Sequence, residues 1–251
     1  MTANLLAIDR HKPLNTITRG LDPTAWITWR LQSKLIYFDA AGATRSFSET
    51  TQSVLLPTSA IFSVSSSSST GEFAEASLIG HEGCVGMWSL CDSSSSHIAT
   101  RLQTKGYVLA IPKDFLRGVF RDSSAFRSAL LDHAALTIKY ATQTCYCYRH
   151  HSIEQQVIKM LLLTTKRTRR PDIEISHQLI ATALGIRREG VSTALKRLQS
   201  LQLIDQRRCH IHMLDEKALE IQACSCYPII CGYLGYTDVD STTKRRTAND
   251  L

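Results

Sequence analysis

A short segment in the C-terminal third of the chain concentrates side chains that can hydrogen-bond to the edges of nucleic-acid bases. Arg188, Ser192 and Lys196 recur every four residues, which places them on one face of a helix, and Glu189 and Thr193 flank that face. A guanidinium group can donate to guanine, a carboxylate can accept from cytosine, and a hydroxyl group can do either. We predict a helix that enters the major groove of DNA, with Arg188, Glu189, Ser192 and Thr193 reading bases.

A second set of polar side chains around this segment is suited to phosphate contacts and to positioning. We predict that role for Ser176, Gln178, Arg187, Lys196, Arg207 and Arg208. Residues 159–208 hold 11 of the 29 Lys and Arg residues but only four of the 22 acidic ones, a net charge of +7 that equals that of the whole chain. Such a local positive field attracts polyanions by releasing their counterions. Charge alone leaves a solvated basic surface as the alternative.

Two helices joined by a tight turn must position these side chains. Ser176 can cap the first helix, and Gly185 supplies the turn before the second. The first helix has an apolar face of Leu179, Ile180, Ala183 and Leu184, and the second is predicted to bury Val191, Ala194, Leu195, Leu198 and Leu201. Alternation over residues 203–214 predicts a two-stranded hairpin, and Asp215 can open a short helix that runs to Ala223. The pattern predicts a winged helix-turn-helix.

The first half of the chain has a different pattern of apolar residues. From residue 36 to 112, short apolar runs are broken by Gly, Pro and Ser, which predicts many short strands in a sandwich or barrel. The serine run 65–69 fits either a flexible loop or one arm of a hairpin.

Around Ser123 the apolar period changes to alternating steps of three and four residues, which is typical of a packed helix. We predict a long helix from Ser123 to about Arg149. Its seam, formed by Leu131, Ala134, Ile138 and Ala141, could join two copies of the chain or could cover the strand-rich region. A further helix follows and should stop at Pro171.

These elements and motifs together resemble the Crp/Fnr family, relatives of the cyclic-AMP receptor protein. Ser176-His177-Gln178 and Arg188-Glu189-Gly190-Val191-Ser192 stand where that family has its helix cap and its base-reading Arg-Glu pair, and residues 78–86 are similar to the loop that opens its nucleotide-binding region. The resemblance implies an α+β fold: a β jelly roll at residues 1–122, a dimerisation helix at 123–150, a winged helix-turn-helix at 151–230 and a tail at 231–251.

The function that this resemblance implies is sequence-specific regulation of transcription. It implies a homodimer on an inverted-repeat operator in double-stranded DNA, with RNA polymerase as partner. We expect no enzyme activity, because no catalytic motif is present, and a cytoplasmic location, because no secretory signal and no apolar run of about 18 residues occurs. A ligand- or redox-sensing module that acts through protein partners is the alternative.

The chain departs from the family at the nucleotide pocket. Nucleotide-responsive members grip the cyclic phosphate with Arg followed by Ser or Thr and Ala, and no such motif occurs between Cys91 and Arg101. A buried phosphate without a cation is costly, so we expect no cyclic-nucleotide binding and assign no cofactor. The first cysteine is Cys84, which argues against the N-terminal cysteine cluster of iron–sulfur members.

Eight cysteines are scattered along the chain, and we expect them to be reduced thiols. Cys145 and Cys147 lie near His150 and His151, and a second group comprises Cys224, Cys226 and Cys231. Structural zinc usually takes two pairs of ligands, with two to four residues between the members of a pair, and neither group fits that pattern, so no metal site is predicted. The basic residues beside Cys145 and Cys147 leave a redox role for that pair open.

Overall fold

A computed structural model describes residues 15–19, 21, 23–39, 52–67, 73–90 and 98–236. The chain divides into two compact units, Met1–Thr137 and Ile138–Leu251. The predicted fold class is confirmed: a β-sheet domain is followed by a long helix and then by a helix-turn-helix with a small sheet. None of the helices in the described part of the chain is long and apolar enough to cross a membrane.

The first unit is built from antiparallel strands with helices before and after them. Before the long helix, its described α-helices are α1 (Thr16–Arg19), α2 (Pro23–Gln32) and α3 (Lys113–Asp122), and a short 3-10 helix spans Met87–Leu90. Its strands are β1 (Lys34–Phe38), β2 (Ser53–Pro57), β3 (Ile61–Ser67), β4 (Phe73–Ile79), β5 (Ile98–Thr104) and β6 (Gly106–Pro112). The strands form two three-stranded sheets, in the orders β1-β6-β2 and β4-β3-β5. The short strands predicted for this region are therefore present.

The apolar runs of β2 and β6 are continuous because both faces of their sheet are buried. Alternate residues face opposite sides of a strand. Val54 and Leu56 pack with Trp29 and the start of the long helix, whereas Leu55 packs with Phe62 of the second sheet. Two apolar clusters, one on each side of the β1-β6-β2 sheet, thus form the core of this unit.

For the serine run 65–69, the described residues decide between a flexible loop and one arm of a hairpin. Ser65 and Ser66 lie in β3 and pair with Glu75 and Ala74 of β4 on one side, and with β5 on the other. They form part of a hairpin arm. Residues 68–72 lie outside the described part of the chain.

Gly106 begins β6 at a point where the backbone of the neighbouring loop comes very close. A Cβ atom at this position would lie 2.4 Å from the backbone nitrogen of Ala60. Because backbone must move to relieve that clash, we expect Gly106→Ala to lower the free energy of unfolding of the first unit by about 1–3 kcal/mol. Chemical denaturation followed by tryptophan fluorescence measures it.

Gly118→Ala is the matched control for this prediction. Gly118 lies within α3, where an added Cβ meets nothing within 4 Å. Alanine in a helix interior is favoured over glycine by about 0.5–1 kcal/mol, so this variant should be slightly more stable than the wild type. Equal stabilities of the two alanine variants would contradict the close approach at Gly106.

The long helix α4 runs from Ser124 to His150, within one residue of both predicted ends. The boundary between the two units falls inside it, after Thr137. Phe126 and Leu130 are buried in the first unit, whereas the seam residues Leu131 and Ile138 are 68% and 66% exposed in the single chain. One side of the helix therefore presents apolar side chains that the described residues of its own chain leave uncovered.

The second unit contains the remaining helices and a small sheet of order β7-β9-β8. Its elements after α4 are α5 (Ile153–Thr168), β7 (Asp172–Ile173), α6 (His177–Leu184), α7 (Arg188–Ser200), β8 (Ile204–Arg207), β9 (His210–Met213), α8 (Glu216–Gln222) and α9 (Cys226–Tyr233). The sequence analysis assigned none of the helices α1, α2, α3 and α9, and α9 continues past residue 230, after which the tail was predicted to begin. Residues 237–251 of that tail lie outside the described residues.

Candidate nucleic-acid interface

The helix-turn-helix consists of α6 and α7, as predicted. The Ser176 hydroxyl accepts a hydrogen bond from the Leu179 backbone N–H at 3.1 Å and caps α6. Gly185 ends α6 in the left-handed conformation with φ of 65°, which glycine adopts without the steric cost of a Cβ atom. The cap and the turn fix where α7 begins.

The recognition helix α7 buries one side and exposes the other. Ile180 and Leu184 of α6 are buried together with Val191, Leu195 and Leu198 of α7. The prediction that Leu201 is buried is wrong, since its side chain is 48% exposed. Leu201 is the C-cap residue, where the helical periodicity that placed it on the buried face no longer applies.

The residues predicted to read bases differ in how freely they can move. Arg188 opens α7, and its side chain and that of Glu189 are exposed. Thr193 is also exposed, but its hydroxyl donates to the Glu189 backbone carbonyl at 2.9 Å. The Thr193 hydroxyl is therefore left to act as an acceptor, and its methyl group remains available for apolar contact.

Ser192 is half-buried and held by a histidine that the sequence analysis left without a role. His177 Nδ1 lies 3.0 Å from Ser192 Oγ, and Nε2 lies 3.2 Å from Gln206 Oε1. A carbonyl oxygen only accepts, so Nε2 carries the hydrogen, and Nδ1 of a neutral ring accepts from the Ser192 hydroxyl. This network joins α6, α7 and β8, and it leaves Ser192 with lone pairs but no free hydrogen. In the sequence, the position of His177 directly after the helix cap Ser176 was the only indication that this residue has a role.

Fewer basic side chains are available on the surface than the sequence count indicates, because some are buried or paired with acidic residues. Lys159 and Arg167 are buried, Arg197 pairs with Glu154 at 3.3 Å, and Lys166 pairs with Glu216 at 3.1 Å. The other basic side chains of residues 159–208 are exposed, although Arg207 also pairs with Asp205: Arg169, Arg170, Arg187, Arg188, Lys196, Arg207 and Arg208. These lie at the end of α5, on α7 and in the β8–β9 hairpin.

The predicted positioning residues lie on α6, on α7 and in the β8–β9 hairpin. Gln178 is exposed on α6 and Lys196 on α7. Arg187 is the N-cap residue of α7, where unpaired backbone N–H groups favour an anion such as a phosphate. Arg207 ends β8 and pairs with Asp205 at 3.3 Å, and Arg208 lies in the turn that follows.

The predicted hairpin is present and gains a third strand. β8 pairs with β9, and β7 pairs with β9 through Asp172↔His212 and Ile173↔Ile211. Asp172 Oδ1 lies 2.8 Å from His212 Nδ1 and 3.0 Å from His210 Nε2. These two hydrogen bonds hold the pKa of Asp172 below its ordinary value. The contacts fix the strand that precedes α6 against the wing.

Residues 155–221 match the family model described as a Crp-like helix-turn-helix domain. The chain carries a Crp-like helix-turn-helix domain. The match spans α5, the helix-turn-helix and the wing, so the predicted resemblance in this region is confirmed. No curated protein matches the chain by sequence.

Most of the chain is similar in fold to solved structures of Crp/Fnr regulators. A protein of Eubacterium rectale assigned to the Crp/Fnr transcriptional regulators superposes with a TM-score of 0.64 at 18% identity, over 83% of this chain and 98% of the other. A CRP-family transcriptional regulator from Thermus thermophilus gives 0.58 at 16% identity, over 76% and 94%. The c-di-GMP-responsive regulator CLP of Xanthomonas campestris gives 0.58 at 15% identity, over 73% and 94%. At these identities the likeness shows the shared architecture, a β-sheet domain followed by a helix-turn-helix.

The part of the first unit that corresponds to a nucleotide pocket is only partly described. Residues 91–97, which cover most of the segment without the phosphate-gripping motif, lie outside the described residues. Arg101 lies on β5, the strand predicted for it, and its guanidinium carbon is 3.3 Å from the centroid of the Phe73 ring. Burial lowers the pKa of this arginine. The guanidinium group of Arg101 therefore stacks on an aromatic side chain of β4 in the same unit.

Proposed function

We propose that the protein is a transcription regulator that binds an inverted-repeat DNA operator as a homodimer. The observation that carries the proposal is the N-terminal half of α7, where Arg188, Glu189 and Thr193 are exposed on a helix whose other side is buried. Docking of such a helix in the major groove brings its first turns to the base edges. Arg187, Lys196, Arg207 and Arg208 would then contact phosphates, and Ser176 and Gln178 would fix the approach of α6.

The homodimer would form along the seam of α4. Leu131 and Ile138 are two turns apart and about two-thirds exposed, with the small side chain of Ala134 between them along the helix and that of Ala141 one turn after Ile138. A second copy of α4 would cover this stripe by helix packing. Two recognition helices related by the dimer axis would meet successive major grooves about 34 Å apart, which is why the operator should be an inverted repeat. We further propose that the dimer contacts RNA polymerase. We also propose that it acts in the cytoplasm, where it would bind such an operator.

Selection of bound sequences from a random duplex pool, followed by a salt titration on the selected site, tests the proposal. Recovery of a palindrome with steep loss of affinity as salt rises would support it. Recovery of a single half-site would overturn the dimer but keep the DNA-binding role. Absence of duplex binding below micromolar concentration would favour a sensor that acts through protein partners.

Cyclic AMP should not tighten binding to the selected operator. The sequence has no arginine in the segment where nucleotide-responsive members hold the phosphate, and Arg101 is stacked on Phe73. Calorimetry should therefore detect no micromolar affinity, and the operator affinity should be equal with and without the nucleotide. Micromolar binding together with a rise in operator affinity would mean that another part of the chain supplies the phosphate site.

A further inference from the structure

The second unit brings together two groups of cysteine and histidine residues that are 73 positions apart in the chain. Cys147 lies in the last turn of α4, and His151 follows one turn later. Cys224 and Cys226 flank the residue that caps α9. One ligand atom from each of the four residues lies within 4.8 Å of the other three. We propose that Cys147, His151, Cys224 and Cys226 form a structural site for a single zinc ion, independent of the proposed DNA-binding role.

The spacing of the ligand atoms fits tetrahedral zinc. Cys147 Sγ lies 3.7 Å from Cys224 Sγ, and His151 Nδ1 lies 3.5 Å from Cys226 Sγ. A tetrahedron with Zn–S bonds of about 2.3 Å and Zn–N bonds of about 2.0 Å has edges of about 3.8 Å between sulfurs and about 3.5 Å between sulfur and nitrogen. Cysteines that bind different irons of an iron–sulfur cluster lie farther apart than this, so the group accommodates one ion and no cluster.

Burial and charge favour a cation among these sulfurs. Cys147, Cys224 and Cys226 are 0%, 2% and 0% exposed and form a small buried cluster of their own. Three thiolates this close repel one another strongly unless a cation lies between them. Zinc would supply that cation, and thiolate together with imidazole is the ligand set that it takes.

The surroundings supply the outer contacts that a zinc site uses. Gln143 Nε2 donates to Cys226 Sγ at 3.1 Å, and Gln156 Nε2 donates to the His151 backbone carbonyl at 2.9 Å. Zinc with three thiolates and a neutral histidine carries one negative charge. The positive charge of the buried Lys159, which interacts electrostatically with Cys147, would offset that charge.

The sequence prediction of no metal site weighed the two groups separately, and each of them offers one pair. Cys147 and His151 are spaced by four residues, so they lie on one side of the helical turn. Cys224 and Cys226 provide the second pair. The ion would tie the C-terminal end of α4 to the start of α9 within the second unit.

Metal analysis of the full chain tests the site. Protein purified in a reducing, chelator-free buffer should contain one zinc per chain by elemental mass spectrometry. Metal-free protein titrated with Co²⁺ should show the visible absorption of tetrahedral cobalt and thiolate-to-cobalt charge transfer. Cys147→Ser and His151→Gln should each weaken zinc binding by more than the roughly 100-fold that loss of an outer contact costs. His151 is half-buried, so the His151→Gln variant keeps all three sulfurs and tests the site even where Cys147→Ser fails to fold.

Cys145→Ser is the matched control, because Cys145 is exposed two residues from Cys147 on the same helix. It should keep full zinc content and the same cobalt spectrum. The proposal is overturned by metal-free wild type that gives no tetrahedral cobalt spectrum, or by a His151→Gln variant with unchanged zinc affinity. A Cys147–Cys224 disulfide in freshly purified wild type, two hydrogens lighter by mass, would also overturn it and would assign the pair to redox chemistry.

Discussion

Arg188→Ala is expected to flatten the base preference at one position of each operator half-site while leaving the other positions unchanged. Arg188 opens α7 with an exposed side chain, so it can present two donors to the O6 and N7 atoms of one guanine. Loss of that contact should reduce discrimination at the G·C pair by about 1–3 kcal/mol. Selection from a random duplex pool with wild type and variant measures the change. If both give the same sequence preference, Arg188 contacts phosphate only.

Lys196→Ala separates base reading from charge. Lys196 is exposed two turns further along α7, and a lysine that contacts phosphate adds affinity without sequence information. This variant should bind all sequences more weakly, with an unchanged preference and a salt slope lower by about one unit. Lys217→Ala removes an exposed charge from α8, outside the helix-turn-helix and wing, and should change neither quantity.

Thr193 and Ser192 should read bases less strongly than Arg188 does. The Thr193 side chain is short, and its hydroxyl is bonded back to its own helix. Ser192 donates to His177 and can offer DNA only an acceptor. Each half-site should therefore contain one strongly specified G·C pair, contacted by Arg188, and neighbouring base pairs with weaker sequence preference.

The elements around the interface could be predicted because local sequence determines them. Ser176 caps α6, Gly185 adopts the left-handed turn and Asp215 caps α8, all through contacts within a few residues. The long helix of 27 residues follows from apolar side chains that recur in alternating steps of three and four residues. In each case the signal is a regular spacing or a cap that does not depend on the tertiary fold.

The parts that could not be predicted depend on contacts between distant segments. His177 meets Gln206 across 29 positions, and Asp172 meets His212 across 40. The four ligands of the proposed zinc site come from two groups that look incomplete when each is considered alone. The burial of Lys159 and Arg167, which removes two charges from the basic surface, likewise depends on how α5 packs.

Ala134→Glu is expected to convert the homodimer into monomers. Ala134 lies between the exposed Leu131 and Ile138 on the seam of α4, so the variant would place one carboxylate from each chain in an apolar contact. An unpaired buried charge costs several kcal/mol, and two would be present in every dimer. Sedimentation velocity measures the change, and affinity for the palindrome should fall with it because the two half-sites would no longer be linked.

Ala125→Glu makes the same substitution on the same helix and is the matched control for this result. Ala125 is exposed and lies nine residues, or two and a half turns, before Ala134, which places it on the opposite side of α4. Its carboxylate would lie near the N-terminus of the helix, where a negative charge is favoured, so this variant should fold and dimerise as the wild type does. A dimeric Ala134→Glu variant would mean that the chains associate elsewhere. Monomers in both variants would mean that the contact is not confined to the seam of Leu131, Ala134, Ile138 and Ala141.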